Sequence, residues 1–436
     1  MSLKSWAALA AALTLPLLNG CGNDAANQGD VRIVNATAEY ASMDLYDIDS
    51  KNDNNLFISG TASFAASGYH GLDEGSYSFN IIGAGGSSAA ASVDGAVSKG
   101  DHFTVVAYLT GTSLQAKWLT DEETAPSSGN AKLRVFNAAS IEAGSVDVYI
   151  TSHDCTALGD TDAAFATAVT DLQDTYGQIL AASSGTPWNI CVTETGNKGD
   201  VRLSVPAVTF TSGQIATLIV SRTAGGVLLN GMLLNQQGTL TAYPNALARI
   251  RLVADAAAGG TVSATLNGVA MATDLTSPSI NTYVSVPSGA LTADLAIDGT
   301  GISAGSLTAD AGADYTLLVA GTVGAPTVQL LPDNNTPSSS ETLPVKIRLV
   351  NGLNGVPGAA SLSVNGSLVG SAAAFGTSSG YGNVVASDAA AELKVTSGST
   401  LLCDVIDQTL TGTDVYTVFM LGDVNDVGPC TLSIDR

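Results

Sequence analysis

The chain has 436 residues, 45% of them apolar and only 13% charged, against about a quarter charged in an ordinary soluble domain. Sixteen Lys and Arg face 39 Asp and Glu for a formal charge of -23, and a surface that acidic repels the phosphates that dominate nucleic-acid affinity, which excludes DNA and RNA as partners. Three histidines, His70, His102 and His153, leave most metal sites and general-base schemes without their usual residue.

Lys4 precedes an apolar stretch from Trp6 to Leu18 interrupted by Pro16, which suits a signal-peptide core and is short for a membrane span. The stretch ends in LLNGC, which resembles the bacterial lipobox. Gly20 and Cys21 fit that pattern, while Asn19 departs from the more usual Ala or Ser. The resemblance implies a lipoprotein signal peptide over 1–20, lipidation of Cys21 as the mature N-terminus, and, with Gly22 next, outer-membrane delivery. Residues 21–29 then form a tether. No later stretch is continuously apolar enough to span a bilayer, so the lipid is the expected anchor and the lipid membrane an expected partner. The expected location is the bacterial cell envelope, facing periplasm or exterior.

From residue 30 onward four segments share landmarks in one order. The opening phrase reads DVRIVNATAEY from Asp30, AKLRVFNAASIEAG from Ala131, ARIRLVADAAAGG from Ala248 and VKIRLVNGLNGVPG from Val345. A second phrase follows: SMDLYD and SVDVYI, with Asp44 and Asp147 at one position, then TVSATLNG and SLSVNG, with Ser263 and Ser363 there. A third pairs Gly with an aromatic residue at Tyr69, Tyr176, Tyr283 and Tyr381, and a fourth closes each segment after Asp101, Gln214, Asp314 or Asp414. The apolar residues of the opening phrases alternate, as in Val31 and Ile33 or Ile347 and Leu349. That period of two belongs to strands with one buried face. Units of about 100 residues with many short strands have the size of immunoglobulin-like sandwiches. The expected fold is therefore all-β, with four tandem β-sandwich domains over 30–124, 131–243, 247–333 and 344–436. The Pro- and Ser-rich joint PDNNTPSSSETLP suits a linker that lets its neighbours reorient.

Several local features invite chemistry. DIDSKNDNN places Asp47, Asp49 and Asp53 among Asn52, Asn54 and Asn55, hard oxygen ligands of the kind calcium prefers. Lys51 and a missing Gly break the EF-hand pattern, and a solvated Asp- and Asn-rich turn is the competing reading. Asp423, Asn425 and Asp426 form a thinner version. Four cysteines, Cys155, Cys191, Cys403 and Cys430, read as two disulfides in an exported chain, with proximity favouring Cys155 to Cys191 and Cys403 to Cys430. Between Thr161 and Leu180, Phe165, Val169, Leu172 and Tyr176 fall at near-helical spacing, which predicts a short helix; a loop leading into the Tyr176 strand is the alternative. Trp188, close to Cys191, is expected to pack on a disulfide.

The scarce positive charges gather on the opening strands: Arg32, Lys132, Arg134, Arg249, Arg251, Lys346 and Arg348. Period-two alternation puts them opposite the core. Arg32, Arg134, Arg251 and Arg348 then form either a repeated stripe for an anionic polymer such as an acidic polysaccharide, or charges that guard an edge strand from unwanted pairing. The second reading carries more weight. Two matches to a nucleophile elbow, at Ser303 and Ser378, lack a downstream His, and GTGISA from Gly299 lacks the βαβ context of a dinucleotide fingerprint. No catalytic constellation emerges.

The RxxNA opening strand, the VDVY phrase, the aromatic-Gly turn and the GxDY strand together resemble a bacterial envelope family catalogued as domain of unknown function 4397. The likeness rests on Arg32 to Ala36 with Asp44 to Tyr46, on Arg134 to Ala138 with Val146 to Tyr149, and on Ala313 to Thr316. It implies a tandem β-sandwich at the cell envelope and brings no established activity or catalytic residues. The function expected from all of this is a non-catalytic, lipid-anchored surface spacer or adhesion protein, meeting a polysaccharide or another envelope protein. A carbohydrate-binding or calcium-dependent recognition module is the alternative, and an envelope hydrolase the third; no cofactor other than calcium is expected.

Overall fold

The computed structural model of the chain describes residues 27–48, 54–180, 187–223, 225–356, 358–424 and 430–436. Cys21, Asp49, Asp53, Asn425 and Asp426 lie outside them. Strands dominate, and they repeat one plan four times. In unit 1 the opening strand Gln28–Asn35 lies parallel to His102–Thr110, which turns back into Ser113–Thr120. The short strands Ala65–Ala66 and His70–Asp73 occupy the opening strand's other side. The facing sheet runs Asn54–Ala62, Ser42–Ile48, Gly75–Gly83, Ala91–Val97 in spatial order. Units 2, 3 and 4 open on Asn130–Asn137, Leu247–Ala256 and Val345–Asn351, and each of these strands is parallel to a late strand of its own unit: Ile215–Arg222, Asp314–Thr322 and Val415–Met420.

The inward residues of each unit close a separate core. Val31, Ile33, Phe79 and Val105 belong to the first, Leu133, Val148, Ile190 and Leu218 to the second, Ile250, Val262, Leu295 and Leu317 to the third, and Ile347, Leu362, Leu393 and Val418 to the fourth. The outward face of each opening strand is not solvated. Val34, Val106 and Leu119 of unit 1 pack on Phe136, Ile219 and Met232 of unit 2, and Val253, Leu318 and Leu331 of unit 3 pack on Val350, Phe419 and Leu421 of unit 4. Units 1 and 2 thus form one welded pair, here called tier 1, and units 3 and 4 a second, tier 2. This explains why the opening strands are buried on both faces although one face carries arginine, a pattern unlike the half-solvated strand of an isolated sandwich.

The tiers meet end to end. Thr223 Oγ1, just past the end of Ile215–Arg222, donates to the Gly312 carbonyl at 2.7 Å, just ahead of Asp314–Thr322. Arg249, near the start of the unit 3 opening strand, reaches Asp200 of unit 2 at 3.8 Å. The finishing ends of the tier 1 strands therefore face the starting ends of the tier 2 strands, and Gln28 begins at the opposite pole of tier 1.

Three local expectations change. Thr161–Leu180 holds strands Ala166–Val169 and Gly177–Leu180 in place of a helix. Val169 pairs with Val146 in one sheet, while Leu172 bridges to Phe136 in the other. The helical spacing comes from a chain that crosses between sheets. A Cβ at Gly177 would stand 2.5 Å from the Phe165 ring, so a larger residue there makes that ring shift. The joint between units 3 and 4 is pinned, because Asn335, fully buried, donates to Asp314 at 2.7 Å and Lys346 donates to the carbonyls of Asn334 and Thr336 at 2.7 and 2.8 Å. Trp188 packs into the unit 2 core, whereas the Cys155–Cys191 bridge sits with Tyr149 on the other side of that sheet. Trp188 and Cys191 are three residues apart in one strand, and an odd separation puts side chains on opposite faces.

The disulfides join Cys155 to Cys191, with Cα atoms 5.4 Å apart, and Cys403 to Cys430, at 6.1 Å. The second ties a strand of one unit 4 sheet to the last strand of the other. Each loop closure stabilises its unit by about 3 to 4 kcal/mol on the chain-entropy model. Among the described residues no helix is long and apolar enough to cross a membrane.

Candidate functional site

The most distinctive constellation is the arginine site that each unit repeats. Arg32, Arg134, Arg251 and Arg348 stand in register with Thr104, Thr217, Thr316 and Thr417 on the parallel neighbour strand. Each Nε donates to the threonine hydroxyl, at 2.8, 2.9, 2.9 and 3.1 Å. Over each guanidinium lies the tyrosine of the aromatic-Gly turn: Tyr69, Tyr176, Tyr283 and Tyr381, at 4.5, 4.7, 4.8 and 4.8 Å, inside the range for cation–π attraction. The end of the strand that turns back along the Thr strand supplies the counter-charge position. Asp121, Asp333 and Asp435 occupy it in units 1, 3 and 4, and Gln236 in unit 2.

These side chains are 1, 6, 2 and 1% exposed, so both sequence readings of them are corrected. They are no stripe open to an anionic polymer, because the partner unit covers them. Nor do they guard edges, because every opening strand has neighbours on both sides. The alternation does place them opposite their own core; what it cannot convey is that another sandwich sits there.

In tier 2 the charges cross the weld. Arg251 of unit 3 makes a forked pair with Asp435 of unit 4, at 2.5 and 2.9 Å, and Arg348 of unit 4 pairs with Asp333 of unit 3 while donating to the Pro332 carbonyl at 2.8 Å. Thr316, Tyr283 and Thr417 donate to the same carboxylates. Burial opposes the Arg251 charge, but Asp435, Tyr283 and Asp333 outweigh it and raise its pKa. Burial and the Asp333 carboxylate hold the Tyr283 hydroxyl protonated, well above its ordinary value. Tier 1 is plainer: Arg32 pairs with Asp121 of its own unit at 3.2 Å and donates across the weld to the carbonyls of Gly238 and Asn235. Among the described residues Arg134 crosses only to the Thr120 carbonyl, at 3.4 Å, and makes no ion pair.

The other repeated polar residues are also structural. The Asn of RxxNA folds back on its own loop: Asn35 donates to the Tyr40 carbonyl, Asn137 to those of Gly144 and Val169, and Asn351 to that of Ala373. Unit 3 has Ala254 there, and Ser277 takes over part of the task by accepting the Ala256 N–H at 2.8 Å. The VDVY aspartates brace bulges, Asp44 accepting from Gly60, and Asp147 from Ala168 and Gly196.

Ser303 is exposed after Thr300–Ile302, and Ser378 pairs with Val350 in Thr377–Ser378; neither lies at a strand-to-helix turn. Asp298 and Gly299 form the left-handed tip of a two-residue hairpin turn, the local reason for the first Gly of GTG. His102 contacts Glu122 at 2.9 Å, and His153 contacts Asp162 at 2.9 Å. Of the proposed calcium ligands Asp47, Asn54, Asn55 and Asp423 are described; Asp47 lies on Ser42–Ile48 opposite Phe79, and the two asparagines begin the neighbouring strand Asn54–Ala62. Among the described residues no three His, Cys, Asp or Glu side chains are grouped to hold a metal ion. The threonine, the counter-carboxylates and the pairing of units escaped the sequence reading. The Thr was visible as one fixed position in HFTVV, IATLI, DYTLL and VYTVF.

Fold and site together define a multidomain β-sandwich protein whose repeated polar residues serve its own assembly. The family model described as domain of unknown function (DUF4397) matches residues 29–149 and 248–352, a little over half of the chain, and the chain belongs to that family. Each match starts at the first unit of a tier and runs into the second. No curated protein matches the chain. Among solved structures, the fimbrial anchor protein Mfa2 from Porphyromonas gingivalis is similar at 9% identity and a TM-score of 0.18, over 50% of this chain and 100% of that one. The Bacillus anthracis TIE protein is similar at 10% and 0.14, over 68% and 50%. The pneumococcal multi-modular glycogen-degrading virulence factor SpuA is similar at 9% and 0.19, over 86% and 37%. Superpositions this loose carry no argument about function.

Proposed function

We propose that the protein is a non-catalytic, lipid-anchored protein of the bacterial envelope, a stiff two-tier spacer that holds the far loops of tier 2 away from the membrane for contact with a polysaccharide or another envelope protein. The observation that carries this reading is the end-to-end stacking of welded pairs along the strand direction, with the start of the described chain at one pole. The pattern of charge agrees: Arg32, Arg134, Arg251 and Arg348 are buried between units. The lipid anchor rests on LLNGC and the apolar stretch before it.

Fractionation of cells carrying the chain or its Cys21→Ser variant tests the anchor. The original sediments with membranes and the variant becomes soluble; a variant that still sediments sinks the lipid attachment. Protease shaving of intact cells then separates surface from periplasm. Release of tier 2 fragments supports outward presentation, whereas protection that ends only on permeabilising the cells removes it.

A further inference from the structure

Where the tiers meet, a cleft of about 570 Å³ opens between them, a volume typical of small-molecule sites. Its walls include Ser140 and Ile141 of tier 1 and Ser338, Thr413, Asp414 and Arg436 of tier 2. Hydroxyl groups line both sides, Asp414 adds an acceptor, and Ile141, 48% exposed, offers an apolar patch. The charges behind the walls are incompletely matched. Arg436 makes no ion pair among the described residues, its buried Nη1 has no hydrogen-bond partner, and its Nη2 lies 3.6 Å from where a Cβ on Gly144 would stand. Burial, then repulsion from Arg202, lowers its pKa to about 10, against the more distant carboxylates of Glu142 and Glu194, which favour the charge without pairing with it. A buried guanidinium short of partners favours an incoming carboxylate.

We propose that this junction cleft binds an acidic sugar residue of the hexuronate type, its carboxylate at Arg436, its hydroxyls at Ser338, Thr413 and Asp414, and a C–H face on Ile141. A neutral sugar leaves the guanidinium unmet. A simple anion leaves the hydroxyls and Ile141 unused. Because the ligand touches both tiers, it also stiffens the joint between them.

Calorimetric titration of the purified full chain with glucuronate, galacturonate and glucose at matched ionic strength tests the proposal. It expects saturable uronate binding, at least tenfold weaker binding of glucose, and at least tenfold weakening by Arg436→Gln. Since Arg436→Gln can disturb the junction itself, Ile141→Trp, which fills the cleft from an exposed helix position, is the second variant. It should abolish binding while leaving the circular dichroism and melting temperature of the chain unchanged. No saturable uronate binding by about 10 mM, equal affinity for glucose, or binding that survives Ile141→Trp overturns the site. Any of these leaves the spacer reading standing, since that reading rests on the anchor and the stacking alone.

Discussion

The two welds share the Arg–Thr–Tyr stack over different apolar contacts and differ at one counter-charge position. In tier 2 each arginine faces the other unit's aspartate, so the two pairs Arg251–Asp435 and Arg348–Asp333 lock the sandwiches reciprocally. In tier 1 Gln236 replaces one aspartate, Asp121 turns back to Arg32 of its own unit, and Arg134 relies on Thr217, Tyr176 and one distant carbonyl. The difference teaches that the apolar contact and the Arg–Thr–Tyr stack suffice to hold a weld, and that reciprocal charge is an addition carrying its own risk. A buried ion pair can be close to neutral against an apolar substitute, yet removing one partner strands the other.

The largest expected effect follows from that asymmetry. Asp333→Ala leaves Arg348 buried at 1% exposure without its carboxylate and also strips acceptors from Thr316 and Tyr283; it should destabilise tier 2 by about 3 to 5 kcal/mol. Arg134→Met in tier 1 abandons no carboxylate and should cost about 1 kcal/mol, the loss of a hydrogen bond and a cation–π contact offset by apolar fill. Denaturant unfolding of the two variants measures the contrast, and equal losses would break the comparison.

A smaller effect separates the two lysines that hold the joints. Lys132 in tier 1 meets Glu123, whereas Lys346 in tier 2 meets carbonyls and the Tyr381 ring, beside Arg348, and among the described residues makes no ion pair. Burial, then Arg348, lowers the Lys346 pKa to about 8. Between that value and the ordinary 10.5 the unfolded chain binds the extra proton, so stability rises with pH across this window, by about 2 kcal/mol from pH 7.5 to 9.5. In Lys346→Met the rise should disappear. Melting temperatures at pH 7.5 and 9.5 for both proteins check it, and an identical pH slope in the variant would refute the burial of that charge.

How much of this was legible follows from what each residue touches. The repeats, the all-β fold and the cysteine partners could be read because they depend on local period and spacing. Arg32 and its counterparts were visible as a pattern, but their role was misread, because period two reports which face a residue takes and not what lies beyond it. The near-helical run from Phe165 to Tyr176 failed for a related reason: the chain steps from one sheet to the other, and apolar contacts with two sheets mimic the spacing of one helical face. Asp121, Asp333 and Asp435 stood at unit ends, where sequence alone cannot distinguish a linker carboxylate from a buried one.

The finest test asks whether the tier 1 weld can be given tier 2 wiring. Gln236 now exchanges hydrogen bonds with the backbone of Glu123, at 2.8 and 3.0 Å, so Gln236→Asp forfeits two contacts while adding the missing carboxylate. By the tier 2 pattern the new group takes Arg32, and Asp121 is released to Arg134. Gain and loss nearly cancel, and the net change should stay within about 1 kcal/mol. Coupling is the better readout. Arg134→Met, mild in the original chain, should cost about 2 kcal/mol more once Gln236→Asp is present, because it then strands a buried carboxylate. If a double-mutant cycle gives the same cost in both backgrounds, the carboxylate position does not set the wiring, and the tier 1 arrangement must instead be fixed by the backbone contacts of Arg32 with Asn235 and Gly238.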